Sequence, residues 1–322
     1  MTLFRRHALL AGAAAGLAAA SPSARAQGLR ALTLQTAWIN DAEFMGYYVA
    51  MEKGWYQAEG LDLKYLPGGP DVIPEASVLS KKADVALSTV ETVINAITTQ
   101  RAPLVIIGAQ YQKNPIGIVS LASKPIRTPA EMIGKTIAVP PVNRLTVEAM
   151  LKLNGIDKSR VRIVPYAYDP TPLLKGEIDA SLDFTTNVPY TIKSKGQDAV
   201  SFLLADFKLP LFNDVVVVTR DTLARRRADL VGFLRASRKG WDENFKDPAA
   251  YPPKYMETWF KGTGRSLDNE IYFNRAQAAL MQHPKGVFAL TPEAIQGCMD
   301  ALNEVGIKAA QEHFDTSLLA EI

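Results

Sequence analysis

The chain has 322 residues, of which 48% are hydrophobic and 21% are charged. This length is more than one small hydrophobic core usually serves, so we expect two lobes. The 36 basic residues slightly outnumber the 33 acidic ones, but Arg5, Arg6 and Arg25 lie in the first 26 residues. The rest of the chain is balanced in charge. This balance argues against nucleic-acid binding, which needs a basic surface to offset phosphates.

The first 26 residues have the pattern of an export signal. Arg5-Arg6 precede an apolar run at 8–20, and Ala24-Arg25-Ala26 supplies the small-x-small pattern that signal peptidase cleaves. The run is too short and too rich in alanine for a stable membrane span. The paired arginines favour Tat export, with an ordinary Sec signal as the alternative. We expect cleavage after Ala26 and release into the periplasm, without a lipid anchor because no cysteine lies near the cleavage site.

Strands and helices alternate along residues 27–115. The pattern predicts strands at 31–35, 61–66, 84–88 and 104–108, with helices at 44–58 and 90–98. Gly60 acts as a stop signal after the first helix. Strands separated by helices favour parallel pairing and an α/β sheet covered on both faces.

The alternation starts again near Pro115. We expect strands at 116–120, 135–139, 161–164, 178–182, 200–204 and 215–218, and helices beginning at Thr128-Pro129, at 145–153 and near 172–175. Residues 221–304 are mostly helical by pattern. The fold class predicted is α/β with two lobes: residues 27–115 plus 213–322 form lobe 1, and residues 116–212 form lobe 2. Two crossings between the lobes make a hinge that can close around a ligand.

Residues suited to catalysis are few. After the signal the only histidines are His283 and His313, both in the C-terminal helical part, and the only cysteine is Cys298. This cysteine cannot form an internal disulfide, and we expect it to pack in the core. The sequence has no cluster of metal ligands, no P-loop, no G-x-S-x-G and no G-x-G-x-x-G motif. We therefore expect no catalytic residues, no metal and no cofactor.

Residues suited to binding follow the predicted strands, at the sheet edge where ligands of open α/β folds bind. The candidates in lobe 1 are Trp38, Asp41, Glu43, Phe44, Gly69, Ser88, Thr89 and Glu91. Those in lobe 2 are Asn143, Asp183, Thr186 and Asn187. Aromatic, hydroxyl, amide and carboxyl groups together suit a flat heterocycle with polar edges.

Several candidates also have a structural interpretation. Trp38 could pack between the lobes, Glu43, Ser88 and Thr89 could cap helices, and Asn143 could be loop surface.

Several ordered stretches resemble a known family. They are Gly46-Tyr-Tyr-Val-Ala50, Glu52-Lys-Gly-Trp-Tyr56, Glu59-Gly-Leu-Asp62, Ala83-Asp-Val-Ala86, Ser123-Lys-Pro-Ile126, Pro129-Ala-Glu-Met-Ile-Gly-Lys-Thr136, Lys175-Gly-Glu-Ile-Asp179 and Thr186-Asn187-Val188-Pro189. Over about residues 30–220 the chain is similar to periplasmic binding proteins of thiamine-precursor, riboflavin-like and related importers. These share a fold with the eukaryotic thiamine pyrimidine synthase.

The resemblance implies a type II periplasmic-binding-protein fold. It implies ligand contacts in the loop 38–44 and at Thr186 and Asn187. Thiamine-precursor members carry Asn-His just before the helix at 46–50, where this chain has Glu43-Phe44. The synthase needs that histidine and a cysteine-rich motif, so we expect the chain to lack its activity.

The function predicted is therefore a monomeric periplasmic component of an ABC importer. It would bind a small heteroaromatic solute, a pyrimidine- or flavin-like cofactor precursor, and deliver it to a permease in the inner membrane. A small anion such as an alkylsulfonate or nitrate is the first alternative. An enzyme of cofactor biosynthesis on the same fold is the second.

Overall fold

Ten strands and twelve helices make up most of the described chain. A computed structural model describes residues 28–166 and 168–322, so the predicted signal peptide lies outside the described residues. The strands are β1 (Arg30–Gln35), β2 (Leu61–Leu66), β3 (Val85–Ser88), β4 (Leu104–Tyr111), β5 (Ile116–Leu121), β6 (Thr136–Val139), β7 (Arg162–Pro165), β8 (Ala180–Phe184), β9 (Ala199–Leu203) and β10 (Asn213–Thr219).

The helices are short in the first two thirds of the chain, and the longest ones lie at the C-terminal end. They are α1 (Met45–Glu52), α2 (Trp55–Ala58), α3 (Pro74–Leu79), α4 (Val90–Gln100), α5 (Arg144–Leu153), α6 (Thr171–Leu174), α7 (Val188–Ser194), α8 (Arg220–Arg225), α9 (Arg227–Lys246), α10 (Pro252–Tyr255), α11 (Leu267–Met281) and α12 (Pro292–Glu304). Among the described residues, no helix is long and apolar enough to cross a membrane.

The strands form two sheets of five, one in each lobe. Their orders are β2-β1-β3-β10-β4 in lobe 1 and β7-β6-β8-β5-β9 in lobe 2. The α/β, two-lobed fold predicted from the sequence is confirmed. The chain passes between the sheets twice, from β4 to β5 and from β9 to β10, and the later helices follow the return to lobe 1. The exact lobe boundaries stay a prediction.

The predicted parallel pairing is confirmed for part of each sheet, but both sheets are mixed. β1 is parallel to β2 and β3, and β6 is parallel to β7 and β8. β10 is antiparallel to β3 and β4, and β5 is antiparallel to β8 and β9. The antiparallel strands are those that enter a sheet directly from the other lobe. They need no crossover helix, so the rule that favours parallel pairing does not apply to them.

Two predicted helices differ from the structure. The helix predicted at 44–58 is broken between α1 and α2 because Gly54 adopts a φ of 70°, a left-handed conformation that glycine tolerates. At Thr128 only a 3-10 turn forms, Pro129–Met132. Two short helices that begin with or near a proline, α3 and α7, were not predicted.

Close helix packing supports lobe 1. A Cβ atom on Gly240 of α9 would lie 2.0 Å from the carbonyl oxygen of Gly46 in α1, so only glycine allows the two backbones to approach this closely. Trp241, which is fully buried, covers Gly46 from the same side. Cys298 is also fully buried, as predicted, and burial raises its thiol pKa to about 12.

Candidate functional site

The loop that follows β1 is held against the loop that follows β2. The backbone N–H of Gly68 donates to the carbonyl oxygen of Trp38 at 2.8 Å and to Oγ1 of Thr36 at 3.1 Å. A Cβ on Gly68 would lie 2.4 Å from the carbonyl oxygen of Thr36. This contact fixes the place of Trp38 at the cleft. Gly69, the predicted site residue beside it, is buried.

Asp41 is a buried carboxylate at the start of the same cleft loop. It caps the 3-10 turn Ala42–Phe44 by accepting from the backbone N–H of Glu43 at 3.0 Å. Its other oxygen accepts from Nη2 of Arg265 at 2.8 Å. Burial raises the pKa of Asp41, and the Arg265 guanidinium opposes that rise. A buried carboxylate needs such a partner to stay ionised.

Glu43 and Asp214 form a second pair of buried acids. Burial raises the pKa of Asp214 to about 7, and burial together with the neighbouring Asp214 holds the pKa of Glu43 well above its usual range. Gln110 organises the pair, since its Nε2 donates to Oδ2 of Asp214 at 2.8 Å and to the Glu43 carbonyl oxygen at 2.9 Å. Two such close carboxyls cannot both ionise readily, so at neutral pH they share protons.

Helix α11 holds the Ala42–Phe44 turn through a buried polar face. The backbone N–H of Ala42 donates to Oε2 of Glu270 at 2.7 Å, and its carbonyl oxygen accepts from Nε2 of Gln277 at 2.6 Å. Both side chains are fully buried. Phe44, the aromatic candidate of this turn, is fully buried too and meets the ring of Tyr65 edge-on. Residues of the C-terminal part thus position the predicted ligand loop.

The two lobes contact each other across the cleft at the same helix. Nδ2 of Asn269 on α11 donates to Oδ1 of Asn187 in lobe 2 at 2.9 Å. Tyr272 and Tyr190 lie nearby, with ring centroids 5.2 Å apart. Asn187 therefore lies where the sequence analysis placed it, in a lobe 2 loop that faces lobe 1.

Aromatic rings also meet across the cleft. The rings of Trp38 in lobe 1 and Tyr168 in lobe 2 are 5.1 Å apart at an interplanar angle of 60°. Tyr168 remains 47% exposed although it is a large ring, and its φ of 60° is unusual for a residue other than glycine. The pair presents an aromatic surface at the place where the lobes converge.

Asp183, at the end of β8, is the buried acid of lobe 2. Its Oδ2 accepts from the Ser181 hydroxyl at 2.5 Å. Burial raises the pKa of Asp183 to about 7, and that hydroxyl opposes the rise. No cation of the described residues forms an ion pair with Asp183. The carboxyl is thus poised to ionise when a donor reaches it.

Ser88, Thr89 and Glu91 form a separate group at the start of α4. Thr89 caps this helix by accepting from the backbone N–H of Thr92 at 3.3 Å, which fits its structural interpretation. Ser88 is buried and donates to Glu75. Burial raises the pKa of Glu91 to about 6, and the lobe 2 hydroxyl of Thr146 is among the groups that oppose the rise.

Asn143 stands at the N-cap position of α5 in lobe 2 without a side-chain cap bond. It is half-buried. Its contact with a ligand stays a prediction.

Several buried polar atoms of the cleft have no hydrogen-bond partner among the described residues. They are Oδ1 of Asn40, Oγ1 of Thr186, Nε of Arg265 and Oδ1 of Asn269. Thr186 is 3% exposed and Asn269 is 7% exposed. Buried polar groups are normally paired because an unpaired one costs about 1–3 kcal/mol. These unpaired donors and acceptors come from both lobes.

The sequence analysis missed Tyr168, Asp214 and the α11 residues. Arg265, Asn269 and Glu270 lie in a stretch treated only as helical. One signal was available: polar residues recur at 270, 274 and 277, the spacing of one helix face. Such a face is normally predicted to be solvated, and only its contact with the Ala42–Phe44 turn shows otherwise. The described part of the chain has no group of three or more histidine, cysteine or acidic residues arranged for a metal ion.

These features define a two-lobed binding-protein fold with a polar cleft, and comparison with known structures agrees. The periplasmic aliphatic sulphonate binding protein SsuA from Escherichia coli superposes with a TM-score of 0.66 over 88% of this chain and 95% of its own, at 13% identity. The desulfurization enzyme DSZB superposes with a TM-score of 0.59 over 90% of this chain and 98% of its own, also at 13% identity.

The chain belongs to the NMT1/THI5-like family, whose model matches residues 41–251. The formylaminopyrimidine-binding protein of Halalkalibacterium halodurans is 25% identical over 228 residues, which are 69% of this chain and 68% of that protein. The riboflavin-binding protein RibY of Chloroflexus aurantiacus is 24% identical over 241 residues, 73% of this chain and 68% of that protein.

Proposed function

We propose that this protein is the exported solute-binding component of an ABC importer and that it captures a flat heteroaromatic solute between its lobes. Its family and its two similar binding proteins support solute binding, and their named ligands, a formylaminopyrimidine and riboflavin, support the heteroaromatic class. The signal pattern at 1–26 supports delivery to the periplasm. There the protein acts as a monomer and passes the solute to a membrane permease.

The observation that carries this proposal is the aromatic contact between Trp38 and Tyr168. One ring comes from each lobe and the two rings already touch, so a planar solute would stack on the outer face of the pair and contact both lobes at once. A ligand shifts the open–closed equilibrium only if it binds the closed form better. Stacking adds about 0.5–1.5 kcal/mol beyond the burial of area. The pair therefore favours closure on a flat ring.

The acids of the cleft favour a neutral or cationic solute over a small anion. Asp41, Glu43, Asp183 and Glu270 are all buried, and Arg265 already pairs with Asp41. An anion would find no unpaired cation among these residues, because Arg265 is already paired with Asp41, and an uncompensated charge in a dry cleft is costly. The likeness to a sulphonate-binding protein concerns the fold alone.

The surroundings of Cys298 and His313 favour a binding role for the protein over a catalytic one. Cys298 is buried and its raised pKa keeps it a thiol rather than a nucleophilic thiolate. Nδ1 of His313 accepts from the backbone N–H of Ala310, and burial lowers the pKa of this histidine. Cys298 therefore packs as a core residue, and the bond to Ala310 gives His313 a structural role.

Two measurements test the proposal. Mass spectrometry of the protein purified from its native compartment is expected to find a heteroaromatic solute. Titration of the ligand-stripped protein with riboflavin and with a formylaminopyrimidine, followed by calorimetry, is expected to show saturable binding of at least one. Saturable binding of an alkylsulfonate or nitrate, with no binding of either heterocycle, would overturn the ligand class. Turnover of a bound heterocycle by the purified protein would overturn the binding role.

A further inference from the structure

Two residues at the start of α11 and just before it each have one unpaired hydrogen-bonding atom, and the two atoms are of opposite kind. Asn269 has its Oδ1 unpaired, and Arg265, just before the helix, has its Nε unpaired. Oδ1 can only accept and the guanidinium N–H can only donate. Arg265 pairs with Asp41. Asn269 bonds to Glu270, which in turn holds the backbone of Ala42, so both residues meet the same loop.

The orientation of the Asn269 amide is fixed by its contacts. Its Nδ2 donates to Oδ1 of Asn187 at 2.9 Å and to Oε1 of Glu270 at 3.3 Å. Both partners are oxygen acceptors, so the amide nitrogen must face them. The oxygen is left as the free atom. It lies beside the hydrogen bond that joins the lobes.

The orientation of Arg265 is fixed in the same way. Its Nη2 donates to Asp41, whose carboxylate is 1% exposed. The Arg265 side chain is only 18% exposed, so water does not readily satisfy the buried Nε–H. The ion pair holds the guanidinium in place and leaves this one donor unused.

We propose that Arg265 and Asn269 determine the specificity of the cleft by recognising a heterocycle edge with a hydrogen-bond acceptor next to an N–H donor. Cyclic amides and aminopyrimidines carry such an edge. The acceptor of the solute meets Nε–H of Arg265, and its N–H meets Oδ1 of Asn269. This inference rests on the proposed function and assigns the solute's polar edge to named atoms.

The charges around the two residues support an N–H donor at Asn269. Glu270 contacts the Asn269 amide, and Asp41 contacts Arg265. An acceptor placed at Asn269 would meet its Oδ1 and find no free donor there, because the amide nitrogen is already bonded to Asn187 and Glu270. Both residues also lie beyond residue 251, where the family match ends. This stretch is therefore outside the part of the chain that the family shares.

Matched ligands that differ by one N–H test the proposal. Riboflavin is compared with N3-methylriboflavin, and a formylaminopyrimidine is compared with its analogue in which the exocyclic amine is dimethylated. Calorimetry gives a Kd for each ligand with the wild-type protein, Asn269→Ala and Arg265→Lys. Arg265→Lys keeps the positive charge beside Asp41 and removes the guanidinium N–H.

The wild-type protein is expected to bind the N–H form of its preferred pair about tenfold more tightly than the methylated form, as one buried hydrogen bond allows. In Asn269→Ala this ratio should fall to about one. Arg265→Lys should weaken both members of the pair by about tenfold and keep the ratio. Two control variants away from the cleft, Asn303→Ala and Arg235→Lys, should change neither quantity.

The outcomes separate this inference from the proposed function. If the wild-type protein binds neither heterocycle and no heteroaromatic solute co-purifies with it, the proposed function fails and the inference fails with it. If the wild-type protein binds one of them and Asn269→Ala keeps the wild-type ratio, the assignment of Asn269 alone is overturned. Affinity in Arg265→Lys equal to that of the wild type overturns the assignment of Arg265. Melting temperatures of all variants show whether a loss reflects unfolding.

Discussion

Replacing Asp183 with asparagine should stabilise the protein increasingly as the pH rises. The carboxyl is 5% exposed, pairs with no cation of the described residues and has its pKa raised by burial to about 7. In the unfolded chain the same carboxyl ionises near the ordinary value of 3.8. Between these values the folded protein binds more protons than the unfolded chain, so stability falls as the pH rises. Asparagine keeps an oxygen for the Ser181 hydroxyl and carries no charge.

The magnitude follows from the pKa shift of Asp183. One pKa unit corresponds to about 1.4 kcal/mol, so a shift of about three units gives at most about 4 kcal/mol. Relaxation and water penetration reduce this, and we expect a gain of about 2–4 kcal/mol for Asp183→Asn at pH 8 relative to pH 4. The gain should be near zero at pH 4, grow up to about pH 7 and level off above it.

Urea unfolding of the two proteins at several pH values measures this gain. Glu43, Asp214 and Glu270 also have raised pKa values, but they are common to both proteins and cancel in the difference. A difference that stays constant from pH 4 to pH 8, or that shrinks with rising pH, would refute the account of Asp183 as a buried, unpaired acid.

Three further predictions concern the cleft. Trp38→Ala should weaken binding of the preferred heterocycle by about tenfold in calorimetry while Trp55→Ala does not; equal affinity with a lower Tm would make Trp38 structural. Asn187→Ala should weaken closure, measured as smaller compaction on ligand addition by small-angle X-ray scattering, because it removes the 2.9 Å bond to Asn269; compaction equal to the wild type would contradict this. Gly68→Ala should destabilise the fold by about 1–3 kcal/mol in urea unfolding, since its Cβ would lie 2.4 Å from the Thr36 carbonyl oxygen; Gly297→Ala, whose Cβ would lie 3.7 Å from Pro210 in ordinary contact, should cost no stability, and equal losses in both variants would contradict this account.

Most of the strands could be predicted because each is a short apolar or alternating run. The strand predicted at 61–66 has the bounds of β2, and that at 31–35 differs from β1 by one residue. Strand direction could not be predicted in the same way. Direction depends on whether a strand arrives through a helix or from the other lobe, and the local pattern of β5 and β10 does not reveal this.

The loops of the site could be predicted because the carboxyl ends of parallel strands lie at one edge. That rule placed Trp38 and Asp41 after β1, and Asp183 at the end of β8. It could not place Asn269 or Glu270, which lie on a helix far along the chain. Their role at the cleft follows from tertiary contacts with Ala42 and Asn187, for which the sequence has no local signal.

The contacts of α11 connect loop geometry with lobe closure. Glu270 and Gln277 hold the backbone of Ala42 from both sides, and Asn269 on the same helix bonds to lobe 2. A movement of α11 would therefore shift the first ligand loop and the inter-lobe bond together. Glu270, Gln277 and Asn269 on this one helix therefore couple the position of the loop at 38–44 to the contact between the lobes.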